Sequence, residues 1–468
     1  MKVEQLYTGC LAQGAYYIES EGEAAIIDPL RETAPYMEMA EERGAKIKYI
    51  LETHFHADFV SGHIDLAKKS GAQIVFGPKA ETGYDAYVAK DNEELKLGKL
   101  RIKVLHTPGH TQESSCFLLL NEEDEQLAIF TGDTLFIGDV GRPDLAIKSD
   151  VTMDDLAGML YDSLHNKIMP LNDDLTVYPG HGAGSACGKN MSKETYATLG
   201  NQKEFNYALQ PMSREEFIVK VTSGLATPPQ YFGHNAMMNK AGYNSFDEAL
   251  AQGTTPLDVD AFKAEMAKGT LILDTRHQDT FEKGYIAGAI NIGLDGSFAP
   301  WVGAMIENLK RPILLIVQEG REEEAVTRLA RVGYDNVVGF LKGGIDAWTA
   351  AGEEVTTVNT ISATALAEAI AKGDDVKVID VRNEGEFISE HLLVATSYPL
   401  AEMAKKVEDL DKKATYYVHC AGGYRSMIAS AVLQNMGFEN IINVAGGFKA
   451  ISETDAPKSD YVCPSTLL

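Results

Sequence analysis

The segment THFHADF places His54, His56 and Asp58 on one tight loop directly after the apolar run KYILE. Residues two apart on extended backbone share a side, so both imidazoles can face one cavity. Three further segments of the same kind follow: HTPGHT with His110, FTGDT with Asp133 and YPGHG with His181. Each lies at the end of an apolar strand and beside glycine, and strand-end loops of an α/β sheet collect at one rim. Neutral imidazoles with a carboxylate suit Fe(II) or Zn(II) and leave coordination positions open for a substrate. Cys187, six residues beyond His181 in HGAGSACGKN, has glycine on either side and can bring its sulfur close to such a cavity.

A second chemistry is written near the C-terminus. In VHCAGGYRSMIAS a strand ends at Cys420, a loop containing Gly422 and Gly423 follows, and Arg425 precedes a helix. Loop N–H groups, the helix N-terminus and the guanidinium would together stabilise a thiolate and a bound sulfur anion. The four residues between Cys420 and Arg425 make a small ring, better matched to a sulfane sulfur than to a phosphate ester.

The elements that must position these groups follow from patterning. Over the first 190 or so residues, short β runs alternate with helices: AYYIES and AAIIDP pair, IDLAKKSG is a helix closed by glycine, and CFLLL and QLAIFTGD pair. This predicts a layered α/β sandwich, with a more helical extension to about residue 250. The remainder repeats itself: LILDTRHQDTF (271–281) matches VKVIDVRNEGEF (376–387), and a GG turn into a helix recurs at a similar offset, about 103–106 residues in all. Two tandem open parallel sheets are expected, giving domains at 1–250, 255–355 and 360–468. The first repeat reads LLIVQEGREEEA where the second has Cys420, and no cysteine lies between Cys187 and Cys420. It cannot carry sulfur in the same way, which predicts a spacer or docking role, with Glu322, Glu323 and Glu324 repelling sulfur anions.

Composition narrows the classes. With 45% hydrophobic and 24% charged residues, the chain is ordinary globular protein. A net charge of −26 disfavours nucleic acid and anionic membranes as partners. Neither a long apolar run nor a leader-like start is present, and the five cysteines are irregularly spaced, so a reducing cytoplasm is expected.

THFHADF, HTPGHT, TGDT and PGHG resemble the metallo-β-lactamase superfamily over roughly residues 1–190, which implies an αββα sandwich. Two-metal members show HxHxDH; here Phe59 stands at the last position and cannot ligate. The pattern is more similar to the persulfide dioxygenase branch with one non-haem iron. That resemblance implies His56, His110 and Asp133 as iron ligands, with His54, Asp58 and His181 orienting ligands or substrate. It also matches GDVGRPDL to a GRxD stretch, in which Arg142 either meets an anionic thiol carrier or pairs structurally with Asp144. The Cys420 loop resembles the rhodanese CxxGxR loop, with Asp380 and Arg382 matching a structural DxR. The whole chain is similar to bacterial persulfide dioxygenase–rhodanese fusions. The implied function is oxidation of a small thiol persulfide by O₂ to sulfite at one Fe(II), with zinc an alternative ion in purified protein. Sulfane sulfur transfer to sulfite then gives thiosulfate, and a homo-oligomer is expected. The competing readings are a zinc thioester hydrolase of the glyoxalase II type and a non-catalytic sulfide-responsive scaffold.

Overall fold

The computed structural model describes residues 2–147, 150–373 and 375–463. Met1–Glu248 with Leu329–Tyr334 form one compact unit, and Ala249–Arg328 with Asp335–Leu468 form another.

The first unit is built on two six-stranded sheets. One runs Lys2–Thr8, Gln13–Ser20, Glu23–Ile27, Lys46–Glu52, Gln73–Phe76, Tyr87–Val88, and the other runs in space from Ala197–Thr198 through Thr176–Pro179, Gln126–Gly132, Ser115–Leu120 and Leu100–His106 to Glu94–Leu97. Central strands such as Gln13–Ser20 and Ser115–Leu120 are buried along almost their whole length, because both faces are covered. Between the sheets lie Ile18, Ile27, Leu51, Ile102, Phe117 and Phe130. Outside them, one sheet packs the helices Ala34–Glu42 and His63–Ser70 through residues such as Tyr36 and Leu66, and the other packs Met153–Ser163 and Arg214–Thr222 through Leu160 and Phe217. This is the αββα sandwich. The helix His63–Ser70 stops where Gly71 turns left-handed (φ 71°), as its sequence predicts.

The second unit holds the two repeats, each a five-stranded sheet with every neighbouring pair parallel. In the first the order is Pro256–Leu257, Val337–Leu341, Ile313–Ile316, Leu271–Asp274, Ile290–Asn291, and in the second Asn359–Ile361, Asn440–Val444, Thr415–His419, Lys377–Asp380, Ala395–Ser397. The DxR pairs are structural in both: Arg276 binds Asp274 and the Gly284 carbonyl, and Arg382 binds Asp380 and the Glu390 carbonyl. Met427 and Ala431, on the helix Tyr424–Asn435 that follows the Cys420 loop, share a core with Phe281, Tyr285 and Leu314 of the first repeat. The three glutamates of the first repeat open the helix Glu322–Ala330, where negative charge suits the helix dipole. Glu324 is spent on Arg321 and Arg328. No helix among the described residues is long and apolar enough to cross a membrane.

Candidate metal centre and sulfur-transfer loop

The sandwich brings His54, His56, Asp58, His110, Asp133 and His181 into one fully buried cluster, and Cys187 joins it. Asp133 is its hub. Its Oδ2 lies 3.5 Å from His110 Nε2 and 3.9 Å from His54 Nε2, while its Oδ1 lies 3.6 Å from His181 Nε2. His181 Nε2 is also 3.3 Å from Asp58 Oδ2. The strand-end glycines permit this approach: a Cβ on Gly180 would stand 2.7 Å from Asp133 Oδ1, and one on Gly132 would stand 2.4 Å from Thr53 Oγ1.

Hydrogen bonding fixes the tautomers. His110 Nδ1 lies 2.8 Å from the Arg142 carbonyl and His181 Nδ1 3.3 Å from the Ala12 carbonyl, so each Nδ1 carries the proton. His54 Nδ1 meets Thr53 Oγ1 at 3.0 Å, and that hydroxyl already donates to Asp28 Oδ2 at 2.8 Å. His54 must therefore donate as well. All three rings turn an Nε2 lone pair towards Asp133. Burial, then the neighbouring rings of His56, His110 and His181, drives the His54 pKa well below its usual range, so it is neutral. Neither oxygen of Asp133 has a hydrogen-bond partner, nor do His181 Nε2 and Asp58 Oδ1. Buried lone pairs facing one another without protons between them repel, and a cation removes that cost. The donor set thus fits a metal ion.

The trio that converges differs from the expected one. His54, not His56, groups with His110 and Asp133, all donor atoms lying within 4.8 Å of one another. His56 turns Nε2 to Asp28 Oδ1 at 3.1 Å and to Glu52 Oε2 at 3.5 Å. Burial opposes a charge on His56, but these carboxylates outweigh it and hold its pKa up at about 9. His56 Nε2 thus faces Asp28 and Glu52, whereas His54 Nε2 faces Asp133. His56 also belongs to a second group with Asp58 and His181.

Arg142 pairs with Asp144. Its guanidinium is 4% exposed and is committed to both Asp144 oxygens, at 2.6 and 2.7 Å, and to the Ala186 and Ala226 carbonyls. Its own carbonyl orients His110, so it acts as a positioning residue. The Arg142 N–H donates to the Cys187 carbonyl, tying the two loops together. Burial, then Asp58 and Asp133, pushes the Cys187 thiol well above its usual pKa.

Two positioning groups escape a motif search. Asp28, closing the strand Glu23–Ile27, accepts from the Thr53 N–H and hydroxyl and pairs with His56. Asn239, in the helical extension, donates to the carbonyls of both His56 and Phe59 at 2.8 Å and accepts from the Ser61 N–H. The first could be suspected from an aspartate ending an apolar strand; the second carries no local signal.

Phe59 is wholly buried, its ring centroid 4.3 Å from that of His56. A histidine here would add a donor beside His56, which groups with Asp58 and His181. Phe59→Ala would only open space, but Phe59→His should raise bound zinc towards two ions per chain in zinc-rich medium, at a packing cost of about 1–3 kcal/mol. Metal analysis of the folded variant checks this; a single metal would mean that something other than Phe59 excludes the second.

In the second unit, Cys420 stands just past the strand Thr415–His419 and is buried. Its carbonyl and that of Ala421 accept from the Phe448 and Lys449 N–H groups, at 2.6 and 3.0 Å, and Gly447 allows this because a Cβ there would lie 2.4 Å from the Cys420 oxygen. Gly423, at φ 110°, turns its N–H onto the Cys420 sulfur at 3.1 Å. Gly422 completes the loop wall and Arg425 flanks the cavity, with both terminal nitrogens held by Glu386 at 2.6 and 2.9 Å. The loop is shaped to hold a nucleophilic sulfur and a sulfur bound to it.

Comparison with known proteins agrees with this division. The Metallo-beta-lactamase superfamily profile matches residues 8–181, and the Rhodanese-like domain profile matches 258–351 and 362–454. A metallo-beta-lactamase from Staphylococcus aureus subsp. aureus COL superposes with a TM-score of 0.64 at 33% identity, covering 73% of this chain and 98% of that one. The human protein Persulfide dioxygenase ETHE1, mitochondrial, is 32% identical over 208 residues, 44% of this chain and 73% of its own length. Probable hydroxyacylglutathione hydrolase glo2 of Schizosaccharomyces pombe is 31% identical over 206 residues, 39% of this chain and 75% of its own.

Proposed function

Because the chain belongs to the metallo-β-lactamase superfamily and carries two rhodanese-like domains behind that module, we propose that it oxidises a low-molecular-weight thiol persulfide and passes sulfane sulfur to the product. The overall reactions are RSSH + O₂ + H₂O → RSH + SO₃²⁻ + 2H⁺, and transfer of a sulfane sulfur through Cys420 to sulfite, giving thiosulfate. The observation that carries this reading is the meeting of His54 Nε2, His110 Nε2 and an Asp133 oxygen in one buried group. Two imidazoles and one carboxylate form the ligand set of non-haem iron oxygenases, and iron(II) bound there would offer open positions to a sulfur anion and to O₂.

The chain's own groups do the rest. The Arg142 carbonyl and Thr53 hold the His110 and His54 rings in their Nδ1–H tautomers. Asp58 and His181 line the side of Asp133 away from those rings. Fusion to Cys420 raises the effective concentration of the shared sulfur species.

A glyoxalase II-type hydrolase is the second reading, favoured by relatives of that name with similar identity and by the His56, Asp58 and His181 group. Phe59 in place of a histidine weighs against two metals. Protein purified without oxygen should carry about one iron per chain and consume O₂ only when a persulfide such as glutathione persulfide is supplied. Two zinc ions with turnover of S-lactoylglutathione would overturn the proposal in favour of the hydrolase, and no metal with neither activity would favour the scaffold.

A further inference from the structure

The first repeat has no nucleophile, yet it is not merely a spacer. A cavity of about 530 Å³ opens above Cys420, and much of its wall comes from the first repeat: His277, Gln278, Asp295, Ser297 and Trp301. The catalytic loop is itself anchored there. Tyr424, between Gly423 and Arg425, donates to the Gly293 carbonyl at 2.8 Å. Its ring lies so close to Gly296 that a Cβ on that glycine would stand 2.2 Å from it. Tyr285 and Asn435 add hydrogen bonds between the repeats, and the shared core around Met427 holds the two sheets as one body.

The chemistry of this wall selects its ligand. A cavity of this size matches those that enclose drug-sized molecules, about 300–1,000 Å³, and a thiosulfate anion would fill only a small part of it. The charges present are already matched: Arg425 faces Glu386, and Asp295 faces Arg321. A small dianion finds Arg425 on this wall, already paired with Glu386. What the wall offers is the Trp301 indole, the amides of Gln278 and Asn383, a hydroxyl on Ser297 and His277. The Asp279 N–H donates to His277 Nδ1 at 3.3 Å, which leaves the proton of the neutral ring on Nε2. Such groups suit the amide and aliphatic portions of a peptide-like thiol.

We propose that the cysteine-less repeat is the carrier-binding half of the sulfurtransferase, seating the organic part of a peptide-like thiol persulfide against Trp301 and Ser297 so that its outer sulfur meets Cys420. The inference rests on Cys420 being the sulfur carrier. The Cys420 thiolate attacks the outer sulfur of RSSH, the RS–S bond breaks, and Cys420–S–SH forms as RS⁻ departs. After loss of a proton to solvent, Cys420–S–S⁻ gives its terminal sulfur to sulfite, forming S₂O₃²⁻ and regenerating the thiolate. No net oxidation occurs.

The test uses the full chain without oxygen, so that the oxidative reaction is silent, with cyanide as acceptor and thiocyanate as readout. Two donors are compared, glutathione persulfide and thiosulfate. Trp301→Ala should raise KM for glutathione persulfide about tenfold or more while leaving kcat/KM for thiosulfate nearly unchanged, and Trp301→Phe should restore most of the loss. Trp348 is buried in the core, so Trp301 is the tryptophan placed to report on the cavity, and the unreactive S-methylglutathione should shift wild-type emission but not that of Trp301→Phe. Equal losses with both donors, or no loss with either and no emission change, would overturn the inference. Thiocyanate formation from thiosulfate surviving in Cys420→Ser would instead overturn the reading of Cys420 beneath it.

Discussion

Alanine at Asp133 or at His54 should abolish metal binding and persulfide-dependent oxygen uptake while the protein stays folded. Asp133 presents both oxygens to three imidazoles and makes no hydrogen bond of its own, so its removal leaves no stranded partner. Losing an outer hydrogen-bond partner already weakens a metal site about 10–100-fold, and losing a direct ligand should cost more. His56→Ala is the informative contrast. Asp28 and Glu52 are both buried, and they would lose the imidazolium between them. Breaking a buried pair in this way costs about 3–5 kcal/mol, so His56→Ala should lower the melting temperature far more than His54→Ala does. Metal analysis beside thermal unfolding separates the two. If His56→Ala stays as stable as the wild type but is free of iron, while His54→Ala retains it, the ligand assignment is reversed.

Cys420→Ser should stop sulfur transfer and change the product of the whole chain from thiosulfate to sulfite. A serine hydroxyl is not ionised by one N–H donor, and it forms no persulfide. A loss of about 10³-fold or more is expected, the scale on which removal of a nucleophile is felt. Oxygen uptake should be largely intact, because its ligands lie in the other unit. Product analysis by ion chromatography settles the outcome. An unchanged thiosulfate yield would remove Cys420 from the pathway and turn attention to Cys187, which shares a donor group with Asp133 and His181.

Much of this was legible in the chain. Period-two apolar runs ending in His, Asp and Gly specified strands that deliver polar groups to one rim, because strand and loop patterns act over a few residues. The CAGGYR loop and the duplicated LILD and VIDV strands likewise specified two parallel sheets, of which one has a nucleophile. Sequence spacing could place His54 and His56 on one side of a loop, but it could not decide between them. That choice depends on Asp28, which faces His56, and on Thr53, whose hydroxyl donates its hydrogen bond to Asp28 and so accepts from His54. Asn239 pins the same loop from some 180 residues away in sequence. The role of the first repeat was hidden for a related reason. Its missing cysteine is a local fact, whereas its wall above Cys420 depends on contacts such as those of Gly293 and Gly296 with Tyr424, across more than 120 residues of chain. Local patterning determined which groups this protein owns; long-range packing and the need to satisfy buried donors decided which of them face one another.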